Sequence, residues 1–518
     1  MKIVLAGYNV DREALDEVRS LAPERLDLTP ETISAAYARI SRDPRPADEI
    51  RRAARAEVEK ARRSNRTIIF KMGHHSVAEH AVFNFDIMGV SRLAIEEIEK
   101  FRLCSFTEKS QRYIKLGDDY VIPDEIVRAG MRDAFVKAVR IQNAFYHALY
   151  DRLRPYVFES NAGLAADSKH AALLDGWAKE DARYVVSLAT EGQLGLTVNA
   201  RNLEWMIRRF AAKPSAEIQA VNRRLVELAR EAAPSLILFT EATPFDAETP
   251  GSFREEAERW SGRTGAGPGG DARAGSDGPR RRRPVVSSAA APAGARLLEA
   301  TPDGDDRILA ALLHAATGRS YDWCRAEARD MPPRGRKALF RRVFERMEFY
   351  DFPPREFEHA ALTFELVVSA SCFAQIKRHR MTTMTAQDYD PALGVTMPPS
   401  IEAVGAGAGF REVIEKTNDA YAELRSAAGP AAAYVLTNAH RRRVLLHINL
   451  RELYHLSRLR EDAAAPWDIR RAAAAMTKLA RTRFPLAGQL LGGKDVYPEL
   501  YAAVFGRSPA RLPPKIGT

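Results

Sequence analysis

The sequence predicts an α+β protein made of two tandem copies of one domain, each a mixed sheet flanked by long helices. Three observations predict this class. Short motifs recur in the same order in both halves, strand-like segments precede helix-like ones in both, and a segment without apolar periodicity separates the halves. We therefore expect domains over residues 1–250 and 295–518, joined by a disordered linker over residues 251–294.

The repeats are short but ordered. "EHAVFNFDI" at residues 79–87 corresponds to "EHAALTFEL" at residues 358–366, and an arginine cluster follows each. A second pair, Asn-Ala-Arg ending at Arg201 and Asn-Leu-Arg ending at Arg451, recurs later in each half. Two matches in one order favour duplication of a domain over chance.

Each half contains the same sequence of predicted elements. "AVFNFDIMGV" and "ALTFELVVSA" carry β-branched and aromatic residues in partial alternation, which predicts a strand. "RLAIEEIEKFR" and "SCFAQIKRHR" then show helical spacing, and long amphipathic helices are predicted over residues 216–236 and 468–485. Helices that cover one face of a sheet are typical of the α+β class.

Composition limits the function further. The chain has 518 residues, a net charge of +10 and three scattered cysteines, Cys104, Cys324 and Cys372. The cysteines suit a reducing compartment, and the absence of a long apolar run or leader-like start predicts a cytoplasmic protein without a membrane span. Much of the excess charge lies in the linker, whose run Arg280–Arg283 we expect to be solvated, with weak contact to nucleic acid as the alternative.

Two polar segments are candidates for chemistry. Arg378, His379 and Arg380 are consecutive, so on a regular helix they would point about 100° apart, and they suit a helix end where they could contact phosphates or an aromatic ring. Solvated cations that close a helix C-terminus are the alternative. In the first half, "TEKSQRY" offers a carboxylate, a hydroxyl, an amide and a guanidinium, which could form a phosphate cradle or a polar surface turn.

These segments resemble the core of the flavin-dependent thymidylate synthases, the ThyX family. The similarity covers most of both halves and rests on the stretch from Gly73 to Tyr113 and on that from Glu358 to Arg380. It implies a tetramer-forming α+β fold and conversion of dUMP to dTMP. Methylenetetrahydrofolate would supply the carbon, and FAD, reduced by NADPH, would supply the hydride.

The second half keeps the family's Arg-His-Arg motif but not its nucleotide loop. The resemblance implies that Gln375 and Arg378 contact the nucleotide and that Arg460 polarises the uracil ring. It assigns flavin contacts to Arg378, His379, Arg380, Asn449 and Arg451. Where the loop should read Glu, Ser and Arg, the sequence has Ala386, Asp388 and Asp390, whose carboxylates would repel a phosphate.

The first half shows the complementary pattern. It keeps nucleotide contacts and residues that lie near flavin or folate in the family, namely Glu108, Ser110, Gln111, Arg112, Arg183, His74, Ser76, Ser41, Asn199 and Arg201. It lacks the cationic triplet, which reads Lys100-Phe101-Arg102. Glu97 stands where the glutamine should be. The ring-polarising arginine is replaced by Phe210, with Arg209 as a possible substitute.

Because family members share one nucleotide between two subunits, we expect the halves to pair as a pseudo-dimer with one surviving composite site. Ser110, Arg112 and Arg183 would hold the phosphate, Arg460 would stabilise charge on the uracil, and His74 would lie near the folate. The chain would form a dimer that imitates the family tetramer, bind dUMP and folate, and have no membrane partner. Nucleic acid is not the expected ligand.

Alternative interpretations remain. A catalytically inactive flavin- or nucleotide-binding paralogue with a regulatory role fits the departures from the motif. His74, His75, Glu79 and His80 could suggest a metal, but their spacing is not HExxH and structural histidines are the preferred interpretation, so no metal is expected.

Overall fold

The computed structural model describes residues 1–15, 28–40, 43–263, 286–287 and 294–514. Two four-stranded sheets dominate it, one in each half of the chain. The part before residue 264 is called the first half below, and the part from residue 294 onward the second half.

The first half supplies these strands and helices, in chain order: β1 (Lys2–Tyr8), α1 (Glu31–Arg39), α2 (Ala47–Ala56), α3 (Val58–Asn65), β2 (Val82–Ser91), α4 (Arg92–Ile98), β3 (Cys104–Glu108), α5 (Asp124–Arg128), α6 (Arg132–Ser160), α7 (Ala162–Ala165), α8 (Ala171–Ala182), β4 (Glu191–Asn199), α9 (Ala200–Ala211), α10 (Ala216–Ala232), α11 (Pro244–Ala247) and α12 (Thr249–Arg263). A π-helical turn (Arg66–Lys71) and short 3₁₀ turns (His75–His80, Ser168–His170 and Arg183–Val185) connect them.

The remaining elements are β5 (Val286–Ser287), β6 (Gly294–Ala300), α13 (Gly304–Thr317), α14 (Tyr321–Asp330), α15 (Pro333–Phe344), β7 (Ala361–Ser369), α16 (Ala370–Ile376), β8 (Thr383–Ala386), β9 (Val395–Thr396), α17 (Pro399–Ala403), α18 (Gly407–Ala428), β10 (Arg441–Asn449), α19 (Leu450–Arg460), α20 (Trp467–Arg483) and α21 (Tyr497–Phe505). Short 3₁₀ turns lie at Arg355–His359, Pro391–Leu393 and Gly429–Val435.

The two sheets have the same strand order. The first is β1-β2-β4-β3 and the second is β6-β7-β10-β8, so equivalent strands occupy equivalent places. The predicted α+β class and the repeated domain are confirmed. The sheets are antiparallel rather than mixed, because β2 and β3 run in one direction and β4 enters between them in the other.

One difference between the repeats has a local cause. The register of β2 shifts between Met88 and Val90, where Gly89 has a φ of +69°. This β-bulge inserts one extra residue, and a positive φ at that point suits glycine. It explains why the arginine cluster follows the shared "EHA" motif one residue later in the first half.

Each half has its own apolar core, and further cores are shared. Phe83, Phe85 and Ile207 are buried in the first half, while Phe364 and Tyr454 are buried in the second. A third cluster joins residues of α6, α8, α17 and α18, which come from both halves. The halves therefore pack as one body over an extensive apolar interface.

A pseudo-twofold axis relates the halves. Ser187 and Thr437 form an isolated antiparallel β-bridge. They are 250 residues apart in the sequence, as are the repeated residues Asn199 and Asn449, so they occupy equivalent positions. The flanking hydrogen bonds occur in equivalent pairs, from Leu188 N to Leu436 O at 2.7 Å and from Asn438 N to Val186 O at 3.0 Å. Equivalent residues thus meet where the axis passes between the halves, as in an isologous dimer.

Equivalent strand-to-helix junctions bring the polar segments to this axis. Ser91 and Ser369 cap the helices α4 and α16, since each hydroxyl accepts a hydrogen bond from a backbone N–H three residues on. Both helices are only seven residues long. The cationic triplet therefore follows a helix end, as predicted.

Only part of the predicted linker lies within the described residues. Residues 251–263 belong to α12, whereas residues 264–285, including Arg280–Arg283, and residues 288–293 lie outside the described residues. Residues 251–263, predicted as linker, are therefore helical, and the domain limits at residues 250 and 295 stay a prediction. No helix in the described part of the chain is long and apolar enough to cross a membrane.

Candidate functional site

A cleft between the halves collects polar side chains from both. Its lining includes Arg92, Glu108, Ser110, Gln111 and Arg183 from the first half and Ser371, Gln375, Arg378 and Asn438 from the second. Several residues that the sequence assigned to one nucleotide site, split between the halves, therefore lie around a single cleft. We call it the seam cleft.

Glu108 ends β3 and lies inside the seam cleft facing Arg378. The Glu108 Oε1 to Arg378 guanidinium distance is 3.8 Å. Burial by itself would raise the pKa of Glu108, but the cationic side chains of Lys377, Arg92 and Arg378 outweigh it and lower that pKa. A carboxylate thus persists among cations, where it can accept hydrogen bonds from a ligand.

Arg183 is held by contacts that cross the seam. Its guanidinium donates to Ser371 Oγ at 3.0 Å, and its backbone carbonyl accepts from the Asn438 side chain at 3.0 Å. The Asn438 amide also donates to Gln111 Oε1 at 3.0 Å. Burial lowers the pKa of Arg183. The arginine is therefore positioned by the second half although it belongs to the first.

Arg92 is a buried cation in the seam cleft that sequence reasoning did not identify. The residue is 6% exposed, and its nearest carboxylate oxygen in an ion pair, on Glu96, is 3.6 Å away. Neither terminal nitrogen of Arg92 makes a hydrogen bond to any described residue. A buried guanidinium without such partners is suited to an anionic ligand, because leaving it uncompensated is costly.

Arg112 lies at the edge of the cleft and is turned away from it. Its Nε is 2.8 Å from Glu180 Oε2, and its terminal nitrogen donates to the Ala464 carbonyl at 2.9 Å. The predicted phosphate contact from Arg112 therefore requires the side chain to leave Glu180.

Arg460 belongs to a chain of polar contacts beside the cleft. Its terminal nitrogen donates to Gln375 Oε1 at 2.9 Å, and its Nε donates to His379 Nε2 at 3.0 Å. The opposite ring nitrogen, His379 Nδ1, lies 3.3 Å from Glu452 Oε1. We call Glu452, His379 and Arg460 the polar relay.

The electrostatics of the relay fix its protonation. Burial, together with the charge of Arg460, lowers the pKa of His379 to about 3, so the imidazole is neutral. Since Nε2 accepts from Arg460, the proton lies on Nδ1 and is donated to Glu452. Burial, with repulsion from Arg378 and Arg112, lowers the pKa of Arg460 to about 10, which leaves it charged at neutral pH.

The first half has an aromatic cluster at the equivalent positions. Phe101, Phe210 and Trp205 replace His379, Arg460 and His455, and the ring of Phe101 contacts those of Phe210 and Trp205 edge-on at 5.5 and 5.0 Å. Arg209, the possible substitute for the missing arginine, instead pairs with Asp246 at 2.9 Å.

The residues expected to contact flavin fall into separate places. Arg378 and Arg380 line a second recess at the seam together with Ser105, Phe106 and Lys377. Arg380 donates to the carbonyls of Arg102, at 3.2 Å, and Cys104. The recess combines cationic groups with an aromatic ring.

The other predicted flavin contacts lie at the junctions β4–α9 and β10–α19. Asn199 and Asn449 cap these helices through their side chains. Arg201 pairs with Glu79 at 2.5 Å, and Arg451 lies 3.5 Å from the equivalent Glu358. No hydrogen bond or ion pair among the described residues connects these arginines to the seam cleft.

Three further predicted residues lie elsewhere. His74 and Ser76 are exposed near the 3₁₀ turn His75–His80, and Ser41 falls outside the described residues.

Metal binding by the histidines of the first half gains no support from geometry. Within the described residues, the group whose donor atoms approach closely enough to hold an ion is His379, Glu452 and His455. His379 Nε2 already accepts from Arg460, which places a guanidinium beside that group. We assign these contacts to hydrogen bonding.

The sequence analysis also did not identify Ser371 and Asn438, although a comparison of the two repeats indicates them. They are polar where the first half has Leu93 and Leu188 at the equivalent positions. Aligning the halves position by position would have identified both. The same alignment sets Arg92 against Ala370, so Arg92 carries a signal of the same kind.

Two copies of one α+β domain that share a cationic cleft at a pseudo-twofold axis define the class: a fused pseudo-dimer with a polar cleft at the seam. Residues 26–235 and 296–486 each match the family model Thy1, described as thymidylate synthase complementing protein. These matches span more than half of the chain, so the chain belongs to this family, that of the flavin-dependent thymidylate synthases.

Individual proteins are similar to parts of this chain. A flavin-dependent thymidylate synthase from Geobacter sulfurreducens is 32% identical over 180 residues, which cover 34% of this chain and 67% of that protein. A UPF0159 protein from Chlamydia muridarum is 23% identical over 436 residues, covering 81% of this chain and 79% of that protein. The solved structure of ThyX from Helicobacter pylori, complexed with FAD and dUMP, aligns with a TM-score of 0.29 at 17% identity, over 46% of this chain and all of that one.

Proposed function

We propose that the protein is a flavin-dependent thymidylate synthase that methylates dUMP to dTMP at one composite site, the seam cleft. The observation that carries this proposal is the composition of the cleft: the phosphate-loop residues of one half face the glutamine and arginine of the other half's Arg-His-Arg motif. Family membership supports the general activity, since named relatives are flavin-dependent thymidylate synthases.

The cleft suits the phosphate of a nucleotide. Arg92, Arg183 and Arg378 converge there with the hydroxyl of Ser110, and Arg92 offers donors that no described residue uses. Guanidinium groups bind phosphate through paired charge-assisted hydrogen bonds. Glu108 remains an acceptor for the sugar or base and would also repel a ligand that is placed with its phosphate reversed.

The polar relay suits the uracil ring. Arg460 would stabilise negative charge on the ring while C5 of the nucleotide attacks the methylene carbon, and Gln375 would fix the base. Neutral His379 keeps the Arg460 guanidinium oriented without adding a competing positive charge. Glu452 holds the required tautomer by accepting from Nδ1.

The second recess has the donors that FAD requires. Arg378 and Arg380 can bind its pyrophosphate, and Phe106 offers an aromatic face. When bound, the reduced flavin supplies the hydride that completes the methyl group. Asn449, Arg451, Asn199 and Arg201 remain proposed flavin contacts, together with Ser76 and Ser41, and His74 remains a proposed neighbour of the folate.

Several further features remain proposals: methylenetetrahydrofolate and NADPH as co-substrates, a dimer that imitates the family tetramer, a cytoplasmic location, and the domain limits at residues 250 and 295. The degenerate loop with Asp388 and Asp390 favours one site for each pair of halves rather than two.

A single preparation separates the synthase from the inactive paralogue. The purified protein is expected to be yellow with a flavin absorption spectrum and to release tritium from dUMP labelled at C5 when methylenetetrahydrofolate and NADPH are added. Flavin with dUMP binding but without tritium release would identify a regulatory paralogue. Absence of both flavin and dUMP binding would refute the proposal.

A further inference from the structure

Glu99 and Lys377 form a buried ion pair across the seam. Each is the first residue after a short helix, Glu99 after α4 and Lys377 after α16. The Lys377 Nζ to Glu99 Oε2 distance is 2.8 Å, and the residues are 5% and 7% exposed. Burial of a charged pair is costly unless both partners are present.

These two residues occupy equivalent positions in the repeat. Glu97 corresponds to Gln375 and Arg102 to Arg380, so Glu99 corresponds to Lys377. Equivalent residues that touch each other must lie at the pseudo-twofold axis, as Ser187 and Thr437 do. The ion pair is therefore a second contact on that axis.

Position on the axis has an electrostatic consequence. If two first halves paired with each other, Glu99 would face Glu99, and if two second halves paired, Lys377 would face Lys377. Either arrangement would bury two like charges at about the distance of the present pair, where they repel each other strongly because little water screens them. A pair of unlike halves avoids that repulsion.

Another buried ion pair across the seam does not join equivalent positions of the two halves. Arg442 contacts Glu96 and lies between the rings of Phe373 and Tyr389, with its guanidinium carbon 4.5 and 4.3 Å from their centroids. The positions equivalent to Glu96 and Arg442 are Ala374 and Gly192. This pair is specific to one side of the axis and provides a matched control.

We propose that Glu99 and Lys377 select the partner at this interface, so that each half accepts only the unlike half, from its own chain or from a second copy. Like pairs would combine two intact loops or two intact Arg-His-Arg motifs, and neither would form the seam cleft. Charges that reject like partners are a recognised source of binding specificity. The inference does not depend on the chemistry that the cleft performs.

Charge reversal in the full-length chain tests the proposal. Lys377→Glu and Glu99→Lys should each lower the melting temperature by about 5 to 10 °C, because each buries two like charges. The double reversal Glu99→Lys/Lys377→Glu should recover at least half of that loss, since equivalent positions simply exchange roles. The control reversal Glu96→Arg/Arg442→Glu should recover none, because only one side offers the two aromatic rings.

Cysteine variants at the axis test directly which halves pair with each other. Ser187→Cys alone should give no disulfide between chains under oxidising conditions, because residue 187 faces residue 437 of an unlike half. Ser187→Cys/Thr437→Cys should give a disulfide. Disulfide-linked chains from the single variant would overturn the proposal, and so would single charge reversals without effect or a double reversal as unstable as the singles.

Discussion

The polar relay of the second half and the aromatic cluster of the first half occupy the same places in two copies of one fold. His379 and Arg460 share a hydrogen bond of 3.0 Å, whereas Phe101 and Phe210 meet edge-on at 5.5 Å. The backbone that presents them is equivalent, a short capped helix followed by the triplet and a later helix. One copy therefore has a hydrogen-bonded polar arrangement at the positions where the other has apolar packing.

The comparison also shows why the loss is tolerated. An apolar cluster needs no partner from the other half, whereas the relay, in the proposed function, acts only beside the loop that we propose binds the phosphate. The first half kept that loop, and the second half replaced it with Asp388 and Asp390. Each half is incomplete, and only their pairing brings the complementary parts together at the seam cleft.

The largest expected effect comes from removing the relay's cation. Arg460→Met should lower kcat for dUMP about 10²- to 10³-fold, because a positioned donor that stabilises developing charge typically contributes that much. Binding of flavin, followed by its absorption spectrum, should persist. Phe210→Met at the equivalent position should leave kcat within about twofold, since that site packs an apolar cluster. Equal losses in both variants would contradict the division of roles.

The second largest expected effect is on the affinity for dUMP, through its phosphate. Arg112→Ala should weaken dUMP binding about 10- to 100-fold, as expected for loss of a charge-assisted contact. Asp388→Ala, in the degenerate loop, should leave the affinity unchanged. Isothermal titration with dUMP measures both. If the two variants lose affinity equally, the halves do not divide the site in the way proposed here.

Substitution of Glu452 should have a smaller effect, which separates the orientation of the His379 ring from the binding of dUMP. Glu452→Leu leaves the Nδ1–H of His379 without its acceptor, so the ring is held from one side only and we expect kcat to fall about tenfold with little change in KM for dUMP. Glu452→Gln, which can still accept from Nδ1–H, should retain most of the rate. The ¹⁵N shift of His379 Nδ1 should report a lost hydrogen bond only in the leucine variant.

The equivalent residue provides the control for this prediction. Asn202 stands in the first half where the second half has Glu452, and its side chain bonds Asn199. Asn202→Leu should leave kcat unchanged. A full loss of activity in Glu452→Gln would show that Glu452 acts through its charge rather than as the acceptor for the Nδ1–H of His379.

The repeat explains how far the sequence could predict this molecule. Apolar alternation in "AVFNFDIMGV" and "ALTFELVVSA" predicted the central strands β2 and β7, because burial against a core is encoded locally. The family resemblance implied the split of the nucleotide motif between the halves, and the structure places residues from both halves around one cleft. The sequence did not reveal that Arg112 turns toward Glu180 or that Arg92 is buried, because both depend on how the halves dock.

Asp181 extends the comparison to stability. It is half-buried at the seam, where Ser400 and the Trp467 indole donate to it at 2.5 and 2.8 Å, and the equivalent residue of the second half is Ala431. Burial and the neighbouring Glu180 raise the pKa of Asp181 to about 7. The folded state therefore holds a proton that the unfolded state releases near pH 4.

The raised pKa of Asp181 fixes the direction in which the stability of the protein depends on pH. The stability from this carboxyl is fully present below about pH 4 and is lost as the pH rises toward 7, because the unfolded state then binds fewer protons than the folded one. Asp181→Asn keeps an acceptor for both donors and removes the titration. Its melting temperature relative to the unmodified protein should rise by a few degrees between pH 5 and pH 8, and a difference that stays constant over this range would show that Asp181 does not titrate there.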